Sequence, residues 1–258
     1  MKKIGILILS VVALIALGSS AYAAGIADTR HNLVPTALGG TGNGDVKGQF
    51  GEICVYCHTP HGGDTIAPLW NRQDSSPGSY SLYNSRTFDA TFATGAPTGV
   101  SKACLSCHDG TLSVNALRNY PGSGAAITGS MVDTRLSNVT LLNDMAEIGT
   151  DLRDDHPISM KYESAKSPGT GGSIGDNTHA AGFTDSTQVT TGKFAVVKGS
   201  ITLPLYPYNT TKSEAVVQCA SCHDPHQNTA NTTAGSESVD FLRVANTGSQ
   251  LCLTCHLK

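Results

Sequence analysis

Charge and aromatic side chains are both scarce in this chain: 14% of its 258 residues are charged and 6% are aromatic, with a single tryptophan. The charged fraction is near half the ~25% of ordinary soluble domains. With a net charge of −3 and no long basic run, this argues against a nucleic-acid binder, which works by neutralising phosphates. It argues equally against a highly charged disordered chain. One tryptophan, six phenylalanines and eight tyrosines are few of the large side chains that normally dominate a core. Something other than side chains is expected to fill the middle. Long apolar runs are lacking too. The stretch from Ile4 to Leu17 has 14 residues, too short to cross about 30 Å of hydrocarbon. Preceded by Lys2 and Lys3 and followed by Ala21-Tyr22-Ala23, it reads as a secretory signal over 1–23, cleaved after Ala23. The remainder, 24–258, carries no membrane-spanning stretch and is expected to be a single exported domain, periplasmic or extracellular.

What the chain does have is cysteine and histidine in a fixed relation. All eight cysteines fall in four C-x-x-C-H motifs: Cys54, Cys57 and His58; Cys104, Cys107 and His108; Cys219, Cys222 and His223; Cys252, Cys255 and His256. This is the attachment signal for c-type haem. Two thiols at that spacing form thioethers with one edge of a porphyrin, and the next residue brings an imidazole beneath the iron. Export to an oxidising space would otherwise suggest disulfides, but four local ones would leave the four histidines unexplained. Zinc knuckles are separated by about 15–20 residues, whereas 46, 111 and 29 residues lie between successive pairs here. Four covalent haems therefore become the expected core, with folding dependent on their attachment.

Nine histidines minus four proximal ones leave His31, His61, His156, His179 and His226, enough to cap every iron. His61 and His226 occupy matching contexts, His58-Thr59-Pro60-His61 and His223-Asp224-Pro225-His226. The proline disfavours a helical turn, and neither ring can easily reach the far face of its own iron, so each is expected to ligate a neighbouring haem. His156, in Asp154-Asp155-His156-Pro157, reads as a ligand held by outer-shell hydrogen bonds. His31, near the new N-terminus, reads as a ligand on an arm able to cap a haem of its own chain or the next. His179 sits in a Gly-rich stretch and is the odd one out. Met131, Met145 and Met160 read as packing residues.

The motifs repeat two by two. C-x-x-C-H-x-P-H at 54–61 is followed by Ser101 to His108, and the same motif at 219–226 is followed by Ser249 to His256. A duplication of 54–108 as 219–256 is expected, with 109–218 inserted. The fold expected is a multihaem cytochrome c, mostly coil with short α-helices and a small β-hairpin, organised around covalent haems. The hairpin is Phe194–Val197 with Ile201–Leu205. A helix is expected from His108 to Leu117, and an exposed loop from Ser167 to Thr191.

Together with His31-Asn32-Leu33, Ala67 to Arg72, Asp155 to Ile158 and Phe241-Leu242-Arg243, these motifs resemble the tetrahaem cytochromes of the doubled-CxxCH group of metal-respiring bacteria. Some members of that group polymerise into extracellular filaments. The resemblance implies that His31, His61, His156 and His226 are the distal ligands, and that one of them crosses a subunit boundary, with His31 the candidate. It implies an electron carrier in anaerobic or extracellular respiration whose partners are other redox proteins or further copies of itself. The rival readings are a multihaem reductase with one open iron and a soluble monomeric periplasmic shuttle.

Overall fold

In the computed structural model the described residues are 24–40, 46–74, 79–86, 88, 90–122, 134–136, 146–166, 183–190, 193–207, 214–227 and 241–257. The expected signal peptide, His179, Met131 and Met145 lie outside them. Regular structure is sparse. Short helices are α1 (Ala24–Ala27), α2 (Gly99–His108), α3 (Tyr162–Lys166), α4 (Cys219–Cys222) and α5 (Gln250–Cys255), and a 3-10 turn spans Cys54–Tyr56. Every cysteine pair thus begins on a helical turn, which places both thiols on one side of a short rigid segment.

One antiparallel sheet runs in the order β1 (Ser186–Thr190), β2 (Lys193–Lys198), β3 (Ile201–Pro207) and β4 (Ala215–Val216). The expected hairpin is present as β2 and β3, with Lys198 opposite Ile201 and Gly199 at φ +62° in the two-residue turn. A positive φ suits glycine there because it has no Cβ to clash. The sheet covers the main apolar cluster, in which Val196 and Leu205 meet Met160, Tyr162, Ala215 and Val217. Met160 is thus a packing residue.

Two expectations are corrected. The helix expected from His108 to Leu117 is absent, because α2 ends at His108 instead of beginning there. Asp109 turns its carboxylate onto the backbone N–H and hydroxyl of Thr111, and Gly110 follows at φ +71°. This Asx turn offers the backbone an alternative to the helix. The loop expected up to Thr191 contains β1, a largely exposed edge strand that pairs Ser186 with Val196 and Gln188 with Phe194. Thr187, Val189 and Thr190 are β-branched, and that preference for extended backbone outweighs the lack of an apolar face.

Candidate haem-attachment sites

Around the first and third motifs the backbone repeats itself hydrogen bond for hydrogen bond. The His58 N–H donates to the Cys54 carbonyl at 2.8 Å and the His223 N–H to that of Cys219 at 3.0 Å. Thr59 donates to Leu69 at 2.9 Å, and Asp224 to Phe241 at 2.7 Å. Asn71 donates to Cys57 at 2.8 Å, and Arg243 to Cys222 at 2.9 Å. His58 forms an antiparallel bridge with Trp70, and His223 with Leu242. Leu69 and Phe241 both adopt the left-handed backbone region, at φ +54° and +69°, which bulky residues rarely enter. The two halves therefore share one local design, a motif clasped by a returning segment.

The motifs also follow one another in space. Asn71 donates its side-chain amide to the Val55 carbonyl at 2.7 Å, while the adjacent Arg72 reaches the Ser106 carbonyl of the second motif at 3.1 Å. The second and third motifs join through α2 and α4. The Ser101 N–H donates to Gln218 Oε1 at 3.1 Å, and the Cys219 N–H to Ser101 Oγ at 2.9 Å. Gln218 and Ser221 cap α4 reciprocally, so the capping box that starts the helix also ties it to its neighbour. The third and fourth motifs both rest on the sheet. Tyr206 Oη donates to the Ala220 carbonyl at 3.3 Å, and Lys198 Nζ to the Leu253 carbonyl at 2.5 Å.

Thiol electrostatics follow this order. Burial pushes Cys57 up to about 12, with Cys107 adding to the shift, and burial pushes Cys222 up to about 11, with Cys255 adding. A hydrogen bond between the thiols of Cys104 and Cys219 raises the first and lowers the second. No disulfide joins any of the eight cysteines.

Imidazoles meet in twos. His226 lies parallel to His58, with ring centres 6.0 Å apart and planes 19° from one another. His31 lies edge-on to His108 with centres also 6.0 Å apart, and stacks on Phe241 at 4.3 Å. Imidazole nitrogens ligate metals at about 2 Å through an in-plane lone pair, so two rings whose nitrogens point at one ion from opposite sides have centres about 6 Å apart. The Nδ1 atoms of His58 and His108 contact the carbonyls of Pro68 at 2.8 Å and Ala146 at 2.6 Å, which leaves Nε2 as the ligating atom. His156 places Nδ1 3.0 Å from the Pro157 carbonyl. His61 and His156 are exposed and have no ring neighbour among the described residues. Among the described residues no three His, Cys, Asp or Glu side chains converge on a single metal position. Cysteine pairs on helical turns with no disulfide between them, anchored Nδ1 atoms and paired rings fit haem c.

His31 was the expected candidate for crossing to a neighbouring copy. The structure places it inside its own chain, between Phe241 and His108. The N-terminal segment is held there, with the Thr29 hydroxyl donating to the Ile26 carbonyl at 2.8 Å and the Asn32 amide to the Ala27 carbonyl at 2.6 Å. Asn32 is 2% exposed, so this is a packed segment and no loose arm. Phe241, Gln218 and Ser101 were not singled out as site residues from the sequence. Only the position of Gln218 immediately before a motif, three residues from Ser221, signals a cap.

The family model of the doubled CXXCH motif matches residues 213–258, which hold the third and fourth motifs. No curated protein matches the chain. The motifs indicate covalent haem c attachment and haem-based electron transfer. The first two motifs lie outside the matched span, and the first shares the backbone pattern of the third, which lies within it. Among the described residues no helix is long and apolar enough to cross a membrane.

Burial, and then repulsion from His108, pulls His31 down from 6.5 to about 4.

Proposed function

We propose that this chain is a tetrahaem electron carrier, in which residues 24–258 form one domain, four motifs each attach one haem, and imidazoles close both faces of every iron. When bound, haem c supplies a one-electron ferric/ferrous couple. Cys54 and Cys57, Cys104 and Cys107, Cys219 and Cys222, and Cys252 and Cys255 serve as thioether anchors. His58, His108, His223 and His256 serve as proximal ligands. The pairing of His226 with His58 at 6.0 Å carries this reading, and His31 with His108 at 6.0 Å repeats it. Ligation by two nitrogens favours low potentials relative to His/Met pairs and leaves no position for a substrate. The role is respiratory, in the periplasm or outside the cell. The assembled protein in its oxidised form will have a wholly low-spin optical and paramagnetic spectrum. A high-spin fraction that binds carbon monoxide would favour a reductase instead.

The repeat supports a second copy of the chain as the partner. In the second half, Phe241 is covered by His31 and His226 caps the neighbouring half. Their counterparts in the first half are Leu69, which is 55% exposed, and the exposed His61. Applying the same relation once more puts His61 and Leu69 of one copy against the second half of another, a head-to-tail contact of the kind that builds a filament where successive rotations do not close. His61 therefore replaces His31 as the ligand we assign across the boundary, and His156 remains for the fourth iron. L69D will retain the haem content of the parent and remain monomeric where the parent forms filaments under the electron microscope. Filaments of L69D indistinguishable from the parent's would contradict this contact.

A further inference from the structure

The two halves are alike in backbone and unlike in buried charge. Arg72 is 1% exposed and sits between the first two motifs. Its guanidinium donates to the carbonyls of Val114 at 2.5 Å, Ser106 at 3.1 Å and Ser113 at 2.7 Å. Its Nε–H has no partner among the described residues, and no described carboxylate forms an ion pair with it. The nearby Asp74 is engaged at the surface by Lys102 at 2.8 Å. In the second half, Arg243 occupies the position of Asn71 in the clasp and its charge is answered. Its Nη1 lies 3.1 Å from Asp224 Oδ2, while Nε donates to the Ala220 carbonyl at 2.8 Å.

An arginine keeps its proton in proteins, and carbonyl oxygens solvate its charge without cancelling it. Leaving a cation buried without a counter-ion costs stability, so its retention is notable in a chain with so few charges. The field of a buried cation is weakly screened, and it favours any nearby centre gaining an electron. The buried carboxylate of the first half, Asp109, directly follows His108 and accepts from Tyr80 Oη at 2.7 Å and from the Thr111 N–H and hydroxyl. Its opposing field falls on the second motif. Asn71, next to Arg72, is clasped to Val55 and Cys57 of the first motif, and the Arg72 charge reaches the buried Cys57 sulfur.

We propose that Arg72 is a fixed positive charge that raises the reduction potential of the haem attached at the first motif, a bias that the Arg243–Asp224 pair removes from the second half. Arg72 acts as a positioning and tuning residue and ligates nothing. The proposal rests on haem attachment at the first motif. Electrons would then favour the first end of the row over its immediate neighbour.

The test is a redox titration of the full mature protein followed optically, with intact mass measured on the same samples. In R72M one of the four transitions moves negative by at least the about 59 mV of a tenfold change in a one-electron equilibrium. R72K, which keeps the charge but not the fork, stays near the parent. Equal shifts in both variants, or none in R72M with its full haem complement, overturn the proposal. A haem missing from the parent protein at the first motif would instead defeat the functional reading on which it stands. If R72M does not mature, D224N decides: it strips the counter-ion from Arg243, so one transition moves positive, and an unchanged profile overturns the charge account.

Discussion

Replacing Cys219 and Cys222 together with serine will cost the protein one covalent haem and most of its folded population. The third motif is the joint of the molecule. Its helix α4 is capped by Gln218, which also accepts from the Ser101 N–H of α2, and the Cys219 N–H returns a bond to Ser101 Oγ. On the other side, Ala220 and Cys222 accept from Arg243 at 2.8 and 2.9 Å. Without a porphyrin at this point, the polar clasps on both sides close over a void, and the scarce aromatic residues cannot fill it. Metal-dependent small folds lose about 10–16 kcal/mol with their metal, as much as the about 5–15 kcal/mol that stabilises a typical domain. Accumulated protein, haem count and near-ultraviolet circular dichroism will all fall. A double variant that accumulates at parental levels with native circular dichroism would show that the third motif is not a structural centre.

The second large effect belongs to His226. H226A removes the ring that faces His58 at 6.0 Å. His226 is itself poorly packed, its nearest carboxylate being Asp224 at 3.5 Å with the histidine side chain 63% exposed, so the fold will survive the substitution. On the tetrahaem reading proposed above, one iron of four will become high-spin and will bind carbon monoxide, while all four thioether-linked groups remain. Added imidazole will restore the low-spin spectrum, because the truncation leaves space of that shape. The matching variant H61A will leave the isolated monomer unchanged and alter only the assembled form. An H226A spectrum that stays wholly low-spin would remove His226 from the ligand set.

The motifs were legible from the sequence because thioether chemistry fixes the C-x-x-C-H spacing locally, and the hairpin was legible because Phe194–Val197 and Ile201–Leu205 are apolar runs around a Gly-Ser turn. The two-by-two repeat was legible as sequence pattern, but its content was not. Leu69 and Phe241 differ in type, and so do Asn71 and Arg243. The first pair shares a left-handed backbone and the second a backbone N–H donated to a motif carbonyl, and neither feature has a residue-type signature. No helix follows His108, where Leu112, Val114 and Leu117 lack clean helical spacing, and the Asp109 turn that stops it is made by one side chain. The place of His31 depends on Phe241, more than two hundred residues away in the chain, and long-range stacking of that kind leaves no local trace. Arg72 was visible only as part of a resemblance, since burial of a cation among carbonyls cannot be read from its neighbours in sequence.

Intact mass measurement of the exported protein, released from its own host without reduction, tests the central claim most directly. The account predicts the chain from residue 24 to 258 carrying four covalently added haems, all retained in acidified solvent. A mass corresponding to the bare chain, to cysteine pairs oxidised as disulfides, or to fewer than four haems would contradict it.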